Sequence, residues 1–134
     1  MKVRRFIPAQ DYPVIQTWWE KRGLPAVPPQ IISENCALVE KDNKPIVVGW
    51  VYFDDMGKIG IIEGITTDPE LEWNEELGKA VDMLIEFFRF LAKWKKVRNL
   101  ISFVEDRSGL HRRMARSGWQ DPKSKPHIYL FQGL

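Results

Sequence analysis

The stretch IGIIEGITTDPELEWNEELGKAVDMLIEFFRFLAKW, residues 59–94, changes its periodicity across one proline. Before Pro69, IGIIEGITT (59–67) is almost continuously apolar, the pattern of a strand covered on both faces. Asp68-Pro69 opens a loop. From about Asn74 to Lys96 the apolar residues recur at intervals of three and four, which predicts a long helix. Leu77, Ala80, Val81, Leu84, Ile85, Phe88, Leu91 and Ala92 make one stripe; Met83, Phe87, Phe90 and Trp94 make a second beside it. Together they span roughly 220° of the helix, more than burial on one sheet needs. The surplus predicts packing on a neighbouring helix or on another copy of the chain.

Towards the C-terminus, NLISFVE (99–105) reads as a strand, GLHRRMARSGW (109–119) as a short helix stopped by Gly118, and HIYLFQ (127–132) as a last strand. Towards the N-terminus, KVRRFI (2–7) is a short strand. Asp11 is placed to cap a helix through Tyr12, Val14, Ile15, Trp18 and Trp19, with Pro13 tolerated in its first turn. Gly23 ends that helix, and LPAVPPQII, with prolines 25, 28 and 29, cannot continue it. CALVEKD (36–42), a turn at Asn43-Lys44-Pro45, and IVVGWVYFD (46–54) form a hairpin. The order β-α-loop-β-β-β-α-β-α-β predicts an α/β (α+β) fold, with a mixed, mainly antiparallel sheet and helices on both faces.

At 134 residues the chain is read as one domain, 1–134. With 44% hydrophobic and 28% charged residues it can build a core. No apolar run reaches the roughly 18 residues of a membrane span, and MKVRRFIPAQDYP lacks the apolar segment of a secretory signal. A lone cysteine, Cys36, makes neither an internal disulfide nor a zinc cluster, so no metal is expected. These features predict a soluble protein of the cytoplasm. The net charge of +2 is unevenly distributed: residues 68–88 carry −6 and residues 89–134 carry +8. The basic C-terminal third is suited to an anion: a phosphate-bearing cofactor, nucleic acid, or the chain's own acidic segment.

Two segments resemble the GNAT (Gcn5-related N-acetyltransferase) superfamily. IIEGITTDPE (61–70) is similar to the family's fourth strand, where a glutamate stands six positions before the terminating proline, as Glu63 does before Pro69. HRRMARSGW (111–119) is similar to the family's last helix, which ends in a glycine and an aromatic, here Gly118 and Trp119. The likeness covers nearly the whole chain, and the first half also resembles short GNAT-like proteins encoded by bacteriophages. The resemblance implies a six- to seven-stranded sheet splayed between its fourth and fifth strands, and acetyl-CoA in the gap. Ile65, Thr66 and Thr67 would hold the pantetheine arm. The following loop and helix start, with Trp73, Leu77, Gly78 and Lys79, would face the pyrophosphate, joined by Arg112 of the last helix. The acceptor would be an amine on a small molecule or a protein.

Two departures from the family accompany this. Of the glycines in its pyrophosphate loop only Gly78 has a counterpart, and Glu70, Glu72, Glu75 and Glu76 surround the same place, where acids already complement a helix dipole. Met114 stands where many members have a tyrosine that protonates the leaving thiolate, and a thioether donates no proton. His111, Ser108 or Tyr129 are the possible substitutes. Glu63 is the expected general base, since acyl transfer needs a neutral amine and a carboxylate at a strand's open end can supply that deprotonation. His111 has the right intrinsic pKa for proton transfer but lies in a basic run that also reads as surface. Cys36 reads as a small buried hydrophobe. Trp19, Pro28 and Pro29 are the expected acceptor contacts; Trp73 would stack on adenine or staple the helix start. The sequence therefore leads to an acetyl-CoA-dependent N-acetyltransferase. A catalytically silent interaction module and a nucleic-acid binder using the basic third remain as alternatives, and the second aromatic stripe allows a homodimer.

Overall fold

Strict alternation in two neighbouring strands sets the two faces of the molecule. The structure, a computed structural model, describes residues 1–102 and 109–119. Its elements are β1 (Lys2–Arg5), α1 (Pro8–Lys21), β2 (Cys36–Lys41), β3 (Lys44–Phe53), β4 (Ile59–Thr67), α2 (Glu75–Trp94), β5 (Asn99–Ser102) and α3 (Gly109–Arg116). The strands lie in the order β1-β2-β3-β4-β5, antiparallel as far as β4 and parallel between β4 and β5. The sheet thus has five strands among the described residues, not six to seven, and the expected strand at 127–132 lies outside them. Elements β1 to β5 belong to one compact unit, and α3 belongs to a second.

Cys36, Leu38, Val48 and Trp50 point to one face, where they form a core with Ile15, Trp18 and Trp19 of α1. The intervening residues Ala37, Val39, Val47 and Val51 are buried as well, on the opposite face. There α2 covers the sheet: a β-carbon on Gly49 would lie 3.2 Å from Leu84 Cδ2 and 3.5 Å from Phe88 Cε2. The helices therefore occupy both faces, as the alternation predicts. Both faces of β2 and β3 being covered explains why these strands read as apolar runs.

Local signals moved some boundaries. Helix α1 begins at Pro8, three residues before Asp11, because proline is suited to a first helical position. Asp11 is therefore not the cap: the N-cap is Ile7, which has no side-chain cap bond, and Asp11 accepts from the Ile7 backbone N–H at 2.7 Å from inside the first turn. At the other end Gly23, with φ +69°, closes a double cap in which Gly23 and Leu24 donate to the carbonyls of Glu20 and Trp19. The hairpin turn is Asp42-Asn43, not Asn43-Lys44-Pro45. Both turn residues have positive φ, and Lys41 pairs with Lys44, the two-residue geometry that matches strand twist. Helix α2 starts from Asn74, whose side chain accepts from Leu77 N–H at 2.8 Å.

One charged cluster ties β1, β2 and α1 together. Arg4 grips Asp11 with two hydrogen bonds of 2.8 and 2.9 Å and reaches Glu40 at 2.9 Å through Nε. Asp11 is only 1% exposed. Burial alone would raise its carboxyl, but the Arg4 hydrogen bonds, the Ile7 N–H and the Arg4 charge outweigh it and hold the pKa below the usual carboxylate value. Glu40 is likewise held low, chiefly by Arg4. A lowered folded pKa gives stability that is complete above the unfolded value of about 4 and is lost as the pH falls through the folded one. Arg4→Met should cost roughly 3–5 kcal/mol at pH 7 by stranding Asp11. In urea titrations across pH, the gap from the wild type should be widest at neutral pH and close below about pH 4.

Candidate functional site

The register between β3 and β4 breaks at one place. Trp50 pairs with Glu63 and Val48 pairs with Thr66, so Gly49 alone stands opposite Gly64 and Ile65. This two-against-one arrangement is a β-bulge, with Gly64 in the left-handed region at φ +68°. The Trp50 ring fills the space beside it: a β-carbon at residue 64 would meet that ring at 2.2 Å. Only glycine permits this contact. Glu63, half-buried, is thereby fixed one residue before the bulge and opposite Trp50, on the α1 side of the sheet.

The same bulge redirects the strand end. Ile65 turns to the α2 side, its Cγ1 lying 3.2 Å from a β-carbon built on Gly49. Thr66 Oγ1 donates to the Gly64 carbonyl at 2.9 Å, and Thr67 Oγ1 accepts from Arg22 Nη2 at 3.2 Å. Among the described residues, strand β5 pairs with β4 from Ile59↔Asn99 to Ile62↔Ser102. From Glu63 to Thr67 the β5 side of β4 has no strand partner among the described residues.

A proline-bearing connection, 24–35, is pinned to α1 and to β3. Tyr12 of α1 donates its hydroxyl to the Val27 carbonyl at 2.8 Å, and Tyr52 of β3 donates to the Ile31 carbonyl. Ser33 Oγ donates to the Val51 carbonyl at 2.7 Å. Burial pushes the Tyr52 phenol above its ordinary pKa and the Glu63 charge adds to this, opposed in part by the neighbouring Trp50 indole N–H. Trp50 Nε1 is itself buried and makes no well-formed hydrogen bond among the described residues.

At the start of α2 the acids are largely engaged. Glu70 pairs with Lys21 at 2.8 Å, and Glu76 pairs with Lys41. Each carboxyl is held below its ordinary pKa by its lysine. The Leu77 N–H is taken by the Asn74 side chain and the Gly78 N–H by the Asn74 carbonyl at 3.0 Å. Leu77 and Gly78 are buried while Lys79 is exposed. Trp73 is 52% exposed; a staple would need an apolar residue where Gly78 stands, so that reading fails.

Other expected residues are placed less favourably for a site. Trp19, read as an acceptor contact, is 4% exposed and packs edge-on against Tyr12 at 6.3 Å. Both members of the Trp18-Trp19 pair are core, because Tyr12 and the connection cover the side of α1 that was expected to be open. Pro28 and Pro29 are exposed on the connection. His111, half-buried, and Arg112, exposed, lie on α3 in the second unit; Ser108 and Tyr129 lie outside the described residues. Cys36 is buried, and burial, with the Asp11 charge, pushes its thiol up to about 12, which leaves it inert as a nucleophile. An open cleft lined by Ser33, Asn35, Tyr52, Asp54 and Lys95 sits at the other end of β3, away from Thr67.

Sequence reasoning passed over Trp50, Tyr52 and Gly64. The signals were present: a lone glycine inside a strand marks a bulge, and residues 50 and 52 share a face two positions apart. Gly64→Ala should be among the most damaging single-methyl additions in the chain. Left-handed strain of about 1–2 kcal/mol combines with overpacking of about 1–3 kcal/mol against Trp50. A denaturant midpoint unchanged from the wild type would refute the bulge.

No family model matches the chain, and no curated protein matches it in sequence. Solved structures do match in shape. The acetyltransferase AAC(6')-Iy, in complex with a bisubstrate analogue of CoA and acetylneamine, superposes with a TM-score of 0.68 at 13% identity, covering 98% of either chain. A Mycobacterium tuberculosis protein in complex with CoA gives 0.63 at 15% identity, over 96% of this chain and 76% of that one. N-acetylglutamate synthase from Neisseria gonorrhoeae, complexed with coenzyme A and N-acetyl-glutamate, gives 0.58 at 14% identity, over 87% of this chain and 32% of that one. With its bulged fourth strand, its parallel β4–α2–β5 crossover and these likenesses in shape, the chain has the GNAT acetyltransferase fold.

Proposed function

We propose that this protein is an N-acetyltransferase that uses acetyl-CoA and acylates an amine. The observation that carries this reading is the bulge at Gly64. It fixes Glu63 on one side of the sheet beside a length of β4 edge that has no strand partner among the described residues. Backbone amide and carbonyl groups on such an edge suit the amides of a pantetheine arm, the contact expected for Ile65, Thr66 and Thr67. The diphosphate end would meet Lys79 and the exposed first turn of α2, since Lys21 and Lys41 already engage Glu70 and Glu76. The CoA complexes of structures with the same fold support this cofactor.

Acetyl-CoA supplies an activated acyl group; the protein's own part is to orient the amine and accept its proton. Glu63 is the general base, taking a proton from the incoming ammonium at its carboxylate. The connection held by Tyr12 and Tyr52 forms the acceptor wall next to it, with Pro28 and Pro29 on its outer surface. Trp50 keeps water from one side of the carboxylate. Met114 cannot donate a proton, so protonation of the leaving thiolate falls to a group other than the family's tyrosine. A small-molecule or protein amine is the acceptor class, and the cytoplasm its setting. Among the described residues no helix is long and apolar enough to cross a membrane.

A second reading follows from the Asn74 side chain on the Leu77 N–H: a helix start capped by its own chain suits an interaction module that keeps the fold without the chemistry. Coenzyme A separates the two. At a ligand concentration one hundred times Kd, binding adds about 2.7 kcal/mol and raises the melting temperature. No rise at millimolar coenzyme A would eliminate the transferase. With binding established, Glu63→Gln should lower kcat/KM about 10²–10⁴-fold while leaving the melting temperature and the coenzyme A affinity in place. Undiminished turnover would remove Glu63 from the chemistry.

A further inference from the structure

Helix α2 carries a face that the sheet does not use. Phe90 is 62% and Trp94 72% exposed, the two most exposed aromatic side chains of the helix, and Met83 and Phe87 beside them are only half-buried. Their spacing of four, three and four is the a/d seam of two heptads, the pattern by which one helix docks along another. The apolar stripe that the sheet requires is separate and fully buried, from Leu77 through Leu84 and Phe88 to Ala92. Isolated exposed apolar residues are ordinary; four in helical register are not.

Charge identifies the partner. Along α2 the acids come first, Glu75, Glu76, Asp82 and Glu86 with Lys79 among them, and the basic Arg89 and Lys93 follow, with Lys95 and Lys96 just past its end. We propose that this face is the interface of a two-fold symmetric homodimer in which the α2 helices of two copies pack antiparallel. Setting Phe87 against the second copy's Phe90 places Met83 against the second copy's Trp94. By the same register Glu86 falls opposite the second copy's Lys93, and the two-fold repeats that pair. A parallel arrangement would instead set the acidic start of each helix alongside the acidic start of the other, and basic end alongside basic end. The Glu86–Arg89 bond within the helix, 2.8 Å, is compatible with this, because a carboxylate accepts more than one donor. The aromatic seam supplies the affinity, and the charges choose the direction.

Sedimentation equilibrium of the full chain tests the proposal. The wild type should dimerise within a range of about 1 to 200 μM, and Phe90→Glu should remain monomeric with an unchanged melting temperature. Lys93→Glu alone should weaken the dimer roughly tenfold, and Glu86→Lys combined with Lys93→Glu should restore it, since the swap recreates both pairs. A wild type monomeric throughout that range overturns the proposal. So does a double variant no tighter than the single one. A melting temperature lowered by Phe90→Glu in monomeric protein also overturns it, because the stripe would then be covered by its own chain.

Discussion

A tryptophan ring lying where residue 64 would carry a side chain is the contact on which the site depends. Trp50 can lie flat over Gly64 only because that residue has no β-carbon and accepts a left-handed conformation. The extra residue this inserts shifts the alternation of β4 by one. Glu63 before it faces the α1 side, and Ile65 after it faces α2. Without the bulge a carboxylate at position 63 and an apolar side chain at 65 would point the same way, and one of them would be on the wrong face. A single glycine thus lets one strand serve the core of both layers and still present an acid.

The sheet and the segments packed on it are held by ties of unequal strength. On the α1 side, Arg4 binds a fully buried Asp11 and a nearly buried Glu40, joining β1, the start of α1 and β2 into one rigid corner. The connection between α1 and β2, by contrast, is fastened by neutral hydrogen bonds, from the Tyr12 and Tyr52 hydroxyls to its carbonyls and between Ser33 and Asn35 and the Val51 backbone. A segment held by a few neutral hydrogen bonds opens at far lower cost than one held by a buried ion pair. The rigid corner therefore fixes the sheet, while the connection is the part that opens at lower cost.

Electrostatics at the start of α2 show how the acidic run 68–88 is accommodated. Read alone, four glutamates around a helix N-terminus oppose an anionic ligand. In the fold, Lys21 from α1 and Lys41 from the β2–β3 hairpin draw Glu70 and Glu76 into ion pairs. These pairs are solvent-exposed and add little stability, but they cancel two of the negative charges at the start of α2.

The sequence by itself determined the element types, the order of the first five strands and the helix that follows Pro69, because hydrophobic period and turn chemistry are local properties. The attention to Glu63 came from the family resemblance, through its spacing to Pro69. Boundaries shifted where two local signals competed, as at Pro8 against Asp11 and at Asp42-Asn43 against the neighbouring Pro45. Only the tertiary structure decided that Trp19 is core and not a cleft wall, since the covering by Tyr12 and Val27 depends on how the connection folds back onto α1. The same holds for the pairing of Trp50 with Gly64 and of Lys21 and Lys41 with the acids. Those contacts join positions 14 to 49 residues apart in the chain, and periodicity carries no information about which distant residue will meet which.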